Sequence, residues 1–265
     1  MNCRVAKGRG SIIRLRNLNI AFATIASAAA CTFLLLKSVQ HRVAVPQSPL
    51  QQDRERAATP VGMVYIPGGT CLIGTNDTDA DEDVKPQRKV IVPSFYMDRT
   101  EVTNDDYKKL IPTHTFPDGE GHLPVTNVTY AEAETYARLA GKRLPTDDEW
   151  EKAARGTDGR RYPWGNDWDP DRVSKRAHSS GSESLIAKKR SPQCAIGPSR
   201  VQPVSSVKGG DSPYGCVDMA GNAWEWVQGF YNNNPEQRIL RGGAVGYAEG
   251  ACRTYNRAIE GTGST

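Results

Sequence analysis

The sequence predicts one globular domain of mixed helix and strand with much irregular loop, preceded by a single apolar helix of membrane length. Three observations carry this reading: apolar runs broken by Pro67-Gly68-Gly69, helix-capping signatures at Thr129 and Thr146, and twenty uncharged residues from Asn17 to Leu36. Of the 265 residues, 38% are hydrophobic and 24% charged, which excludes a wholly disordered or multi-spanning chain.

The first sixty residues hold the charge excess. The chain has 34 Lys+Arg against 30 Asp+Glu; residues 1–60 contain 9 basic and 2 acidic groups, leaving 25 basic and 28 acidic groups in residues 61–265. The sequence pI of about 8.7 therefore reports on the N-terminal segment. A nucleic-acid-binding domain, which needs its positive charge on the folded part, is excluded. Residues 1–16, with Arg4, Lys7, Arg9, Arg14 and Arg16, read as a basic cytoplasmic tail, and residues 17–36 as a transmembrane signal anchor. A cleaved signal peptide, a lipoprotein signal ending at Cys31 after Ala28-Ala29-Ala30, and a buried core helix are the competing readings. Cleavage near Ala30 would expose Thr-Phe-Leu-Leu-Leu at the new N-terminus, which favours the anchor. The positive-inside bias then gives a single-pass membrane protein, its N-terminus cytoplasmic and its domain periplasmic or extracellular. Residues 37–60, rich in proline and glutamine, read as an extended linker, and residues 61–265 as the domain.

Within the domain, Val61–Tyr65 and Thr70–Ile73 around the Pro-Gly-Gly turn predict a β-hairpin, and Lys89–Tyr96 a further strand. The acidic stretch Asp77–Asp83 resembles a calcium loop, but Glu82 stands where an EF-hand needs glycine and Arg88 where it needs glutamate. It reads as a solvated loop. Thr103 caps a short helix through Leu110; Thr129 with Glu132 opens a helix over Tyr130–Ala140 that Gly141 stops; Thr146 with Glu149 opens another that ends at Gly156. Beyond Gly156 nothing is periodic enough for a long helix or strand. Val173–Arg200, with Lys188-Lys189-Arg190, reads as a solvated basic insertion rather than a phosphate or acidic-partner site. Cys71, Cys194, Cys216 and Cys252 form no CxxC, and an oxidising compartment would allow one or two disulfides among them in any of three complete pairings.

Six blocks stand in order: Met63-Val-Tyr-Ile-Pro-Gly-Gly; Glu101-Val-Thr-Asn with Tyr107; Gly141-Lys-Arg-Leu-Pro-Thr with Glu149-Trp-Glu-Lys-Ala-Ala-Arg-Gly156; Tyr162-Pro-Trp-Gly165; Asp218-Met-Ala-Gly-Asn-Ala-Trp-Glu-Trp226; and Leu240-Arg-Gly-Gly243. Over roughly residues 62–257 this series resembles the sulfatase-modifying-factor family, which includes the formylglycine-generating enzyme. The resemblance implies a single α+β domain related to the C-type lectin fold. It leaves activity open, because the family includes copper-dependent oxidases acting on a Cys-x-Pro-x-Arg peptide, iron-dependent sulfoxide synthases, siderophore-maturation proteins and members proposed only to bind or signal.

In the formylglycine-generating enzyme a serine and two cysteines follow the Gly-Gly pair, and the two thiolates hold copper(I). After Gly242-Gly243 this chain has Ala244 at the serine position, Tyr247 at the first cysteine and Cys252 at the second. Cys252 is thus the one catalytic candidate, with a buried or disulfide-bonded thiol as its plainer reading, and copper is not expected. His114, His122 and His178 lack the spacing that puts ligands on one helical face, and the chain has no G-x-S-x-G, Walker loop or H-E-x-x-H. The resemblance implies a structural calcium ion at Asn222 and Glu225. A second calcium site is expected lost or altered, because Ser174 stands where its asparagine would be. Relatives also continue to a closing Gly-Phe-Arg strand that is absent before Thr265, so an unpaired edge or a truncated sequence is expected. The expectation is a membrane-anchored, extracytoplasmic binding or accessory module with a peptide or protein partner at the membrane. The alternative is an oxidoreductase of the same family, making formylglycine or carrying out another metal-dependent oxidation of a peptide or small molecule.

Overall fold

The computed structural model describes residues 2–4, 6–7, 48–174 and 201–261. Its central device is a long antiparallel ribbon bent in the middle. Strands β3 (Met63–Ile66) and β4 (Gly69–Ile73) run out, and β5 (Arg88–Val92) and β6 (Phe95–Asp98) run back, with β4 paired to β5 and β3 to β6. The Pro-Gly-Gly turn therefore does not close a hairpin between β3 and β4, and Lys89–Tyr96 is not one strand. Both arms bend together at Gly68 and Pro93-Ser94, where a Cβ on Gly68 would lie 2.9 Å from the Ser94 backbone nitrogen. The hairpin loop is residues 74–87. Its acidic stretch is clamped rather than merely solvated: Asp77 binds Arg161, Asp79 binds Arg253 and Asp83 binds Arg257.

Three helices begin where their caps predict. Thr103 caps α2 (Asn104–Leu110), and complete capping boxes open α3 (Tyr130–Leu139) and α4 (Asp147–Arg155); Gly141 and Gly156, both at positive φ, follow the last two. α3 packs Tyr136 face to face on Tyr107 of α2, and Trp226 stands edge-on to Tyr130 and donates to the Val128 carbonyl. A second core cluster surrounds Trp150, with Ala153 and Ala154 of α4 against Ile66, Phe95 and Met97 of the bent ribbon. Strands β7 (Glu225–Trp226), β8 (Gln237–Arg241) and β9 (Ala258–Gly261) form an antiparallel sheet, and the remainder between residues 156 and 224 is loop apart from a single 3₁₀ turn, among the described residues. Mixed helix and strand in one domain agrees with the expected class.

The N-terminal boundaries need correcting. Residues 49–57, placed in the linker, form helix α1 (Pro49–Ala57), started by a Ser48 cap with proline in the first turn. Its Glu55 is buried, accepting from the Tyr65 hydroxyl at 2.7 Å, and its carbonyl accepts from Tyr96. Within the expected tail, β1 (Asn2–Cys3) lies parallel to β7 and β2 (Ala6–Lys7) antiparallel to β6, so these residues are part of the domain. The Asn17–Leu36 run, Cys194 and most of the basic insertion lie outside the described residues. No helix among the described residues is long and apolar enough to cross a membrane. Cys71, Cys216 and Cys252 are buried free thiols, so no disulfide joins them.

Helix α4 holds the ribbon and the sheet together through buried charge. Lys152 Nζ enters the bend and donates to the carbonyls of Pro67 (2.6 Å), Gly69 (3.2 Å) and Val92 (3.4 Å). Glu151 accepts from the Gly74 N–H and Arg155 at one oxygen and from Arg241 of β8 at the other. Both arginines and Glu151 are at most 1% exposed. Glu151→Ala would leave two buried guanidiniums short of their counter-charge, and it is expected to cost roughly 3–5 kcal/mol in urea denaturation. Lys109→Ala, at an exposed i, i+3 pair, should leave the midpoint unchanged.

Candidate functional site

The segment that the resemblance makes catalytic follows β8. Gly242 and Gly243 both adopt positive φ, a conformation that suits glycine, and turn the chain so tightly that a Cβ on Gly243 would meet the Ala251 carbonyl at 2.9 Å and Cys252 Sγ at 3.1 Å. The turn is pinned from both sides by Gly221 N–H to the Gly242 carbonyl and Val245 N–H to the Asn222 carbonyl. A 3₁₀ turn over Glu249–Cys252 returns the chain beneath it.

Three side chains at the positions singled out by the resemblance follow this turn. Ala244 supplies only a methyl, packed against the first core cluster. Tyr247 occupies the first thiol position and sets its ring edge-to-face on Trp224, with centroids 5.5 Å apart and an interplanar angle of 86°. Cys252 is 3% exposed, and burial, with a smaller contribution from Glu249, pushes its thiol up to about 12. Such a thiol stands in its neutral form at neutral pH. The Trp224 indole N–H is buried with no hydrogen-bond partner among the described residues.

Neighbouring loops build a polar and aromatic rim. Tyr162 donates to Glu249 at 2.9 Å, its ring stacks on Trp164 at 5.4 Å, and Trp168 tilts against both. Arg253 spans from this rim to Asp79, and Tyr255 donates to Asp77, which Arg161 also binds. Arg161 first, then Tyr255, holds the Asp77 carboxyl below its ordinary range against the opposing effect of burial. The loops around residues 77, 162 and 250 therefore meet at one place. Trp164 and Trp168 line an open hollow of about 340 Å³ with Asn166, Asp167, Asp169 and Arg172.

Asn222 and Glu225, expected to share calcium, face different partners. Asn222 donates to Glu101 at 2.6 Å and its side-chain oxygen accepts from the Gln202 N–H at 2.8 Å, as the hydrogen-bond network orients the amide. Glu225 accepts at one oxygen from Trp150 Nε1 and from Arg4 Nε, both at 3.0 Å. Its other oxygen is buried without a partner among the described residues. A guanidinium on the carboxylate and an amide oxygen turned elsewhere do not make the all-oxygen cage that calcium needs. No group of three or more His, Cys, Asp or Glu suited to a metal occurs among the described residues. Ser174 at the second expected site has a buried hydroxyl without a partner, and Asp169 binds Arg172.

Sequence reasoning missed the groups that surround Glu225. Glu101 is fully buried, and its carboxyl lies well above the ordinary range because of burial and then the charges of Asp218 and Glu225. Burial likewise raises Asp218 and Glu225, opposed at Glu225 by Arg4 and Trp150. Glu101 and Asp218 stood inside quoted blocks, but Arg4 lies more than two hundred residues from its partner and no local pattern could link them.

The sequence matches the family described as Sulfatase-modifying factor enzyme 1-like domain over residues 47–264. It is 30% identical over 222 residues to the uncharacterized protein YfmG of Bacillus subtilis (strain 168), covering 69% of this chain and 44% of that protein; the chain thus spans less than half the length of YfmG. It is 27% identical over 262 residues to Inactive C-alpha-formylglycine-generating enzyme 2 of Bos taurus, covering 77% and 83% of the two chains. It is also 27% identical over 278 residues to Formylglycine-generating enzyme of Thermomonospora curvata, covering 74% and 86%. Among solved structures, PvdO from Pseudomonas aeruginosa superposes with a TM-score of 0.56 at 22% identity, covering 76% of this chain and 89% of that one, a likeness of fold.

The buried thiol has a pH signature. A folded-state value near 12, above the ordinary thiol value of 9.0, means that burying Cys252 favours folding fully below pH 9 and loses that contribution as pH rises from 9 towards 12. Cys252→Ala should therefore flatten the alkaline fall in stability, measured by denaturation between pH 8 and 11. In the native wild-type chain at pH 8, iodoacetamide should leave Cys252 unlabelled until denaturant is added.

Proposed function

Because the chain belongs to the Sulfatase-modifying factor enzyme 1-like domain family, we propose that it keeps the family's scaffold as a binding or accessory module and does not generate formylglycine through copper. The observation that carries this reading is the pairing of Tyr247 with Trp224 where a second thiolate would be needed, above a single buried and protonated Cys252. Copper(I) in this chemistry rests on two soft ligands, and one thiol held in its neutral form is a poor substitute. The similarity to a protein named as an inactive form of the enzyme is in keeping with this assignment.

What remains suits recognition of an extended peptide or protein segment. Tyr247, half-buried and braced edge-on by Trp224, offers an aromatic wall, and Trp164 with Trp168 adds a second apolar platform beside Asp167 and Asp169. The loops that carry these groups are fixed by ion pairs, so less freedom is lost when a ligand docks.

The test incubates the full chain with copper(I), a reductant, oxygen and a Cys-x-Pro-x-Arg peptide, and follows aldehyde by mass spectrometry. No aldehyde is expected from the folded protein, and turnover that Cys252→Ala abolishes would overturn the proposal. The double variant Ala244→Ser with Tyr247→Cys should raise copper(I) affinity by at least about tenfold.

A further inference from the structure

The five described residues at the start of the chain, 2–4 and 6–7, do more than their number suggests. β1 extends the β7–β8–β9 sheet in parallel, β2 adds an antiparallel edge to β6, and Ala6 exchanges both backbone hydrogen bonds with Arg143. This short segment therefore joins two sheets that otherwise meet only through side chains. Between its strands, Arg4 is fully buried. It reaches Glu225 at 3.0 Å and the carbonyls of Asp98, Arg99 and Val217 at 3.1, 2.8 and 2.6 Å. Ala6 is also fully buried, in the cluster around Trp150, where no larger side chain is accommodated without displacing neighbours.

We propose that the cleft between β6 and β7 is a receptor for two short strands beside a buried arginine, and that its occupant is the chain's own N-terminal residues, Asn2–Arg4 and Ala6–Lys7. The site is complementary in three independent ways. Unpaired edges of β6 and β7 take the backbone. A carboxylate and three carbonyls take the fork of the guanidinium. The space at Ala6 selects for a small residue. Charge makes the arginine obligatory rather than decorative: Glu225 is buried beside Glu101 and Asp218, and no other cation bonds to it among the described residues. The docked segment also fixes topology, because a single membrane crossing by Asn17–Leu36 would place Arg4 and Glu225 on opposite faces. A chain docked in this way keeps its N-terminus and its domain in one compartment.

Hydrogen exchange on the unsubstituted full-length chain tests this without any variant. Amides in Asn2–Lys7 should be protected alongside those of β6 and β7; exchange at the rate of an unfolded peptide would overturn the proposal. Protection that disappears on dilution, together with a dimer in sedimentation, would show that a second copy supplies the strand, and would overturn the intrachain assignment. Arg4→Ala should lower Tm on the order of 10 °C, with Glu225→Ala giving a similar loss and the double variant little more than either. An unchanged Tm in Arg4→Ala, as expected of a free tail, would refute it. Arg4→Lys should recover only part of the loss, since an ammonium lacks the guanidinium fork.

Discussion

Dry, paired charge around a nine-residue helix sets the geometry of the domain. At consecutive positions on α4, Trp150 donates to Glu225, Glu151 joins Arg155 to Arg241, and Lys152 fills the bend of the ribbon. A fold with so much loop has few ladders to fix its segments, and apolar packing alone is permissive about angle and register. Buried ions are not permissive, because each must meet its partner in the dry interior or carry a desolvation cost of several kcal/mol. Arg241 thus fixes β8 to α4 through Asp147 and Glu151, and the same guanidinium holds the carbonyls of Thr254 and Asn256. Burial opposes ionisation of Asp147, but Arg241 and Arg257 still hold its carboxyl below the ordinary range, so the pair stays charged.

This arrangement explains how the loops can be both irregular and fixed. The acidic hairpin loop reaches three arginines spread over residues 161–257, and these cross-links converge on the segment around Cys252. Function in such a fold lives in loop side chains, while stability lives in the helix and ribbon behind them. Substitution at Ala244 or Tyr247 is consequently compatible with an intact scaffold, since neither touches the α4 network.

Local signals in the sequence were legible and distant ones were not. Capping at Thr103, Thr129 and Thr146 depends on residues three apart, and all three helices start there. The first two strands of the ribbon were found, yet their partners were misassigned, because a Pro-Gly-Gly turn specifies a change of direction and not which edge is met next; β8 and β9, five and four residues long, carry too little pattern to read. The Ser48-Pro49 start of α1 was a readable signal, masked by the polar composition of the helix it opens. Arg4 belonged to a run of basic residues whose aggregate charge argued for a cytoplasmic tail. Nothing in its neighbourhood distinguishes a buried guanidinium from a solvated one until Glu225 is placed beside it. At the candidate site, the Gly-Gly spacing singled out Ala244, Tyr247 and Cys252 only through the family resemblance, whereas the divergence of Asn222 and Glu225 towards separate partners needed coordinates.

The survival of one cysteine at a position associated with chemistry has a packing explanation. Gly243 must lack a side chain because the Ala251 carbonyl and Cys252 sulfur already fill the space a Cβ would take. The residue at 252 must in turn be small and apolar enough to sit beneath that turn at 3% exposure, and a neutral thiol meets both demands. The partner position at 247 carries no such constraint. It lies at the rim, half-buried, where a ring leans on Trp224. A buried cysteine at 252 and an aromatic ring at 247 thus answer to different packing demands of one scaffold.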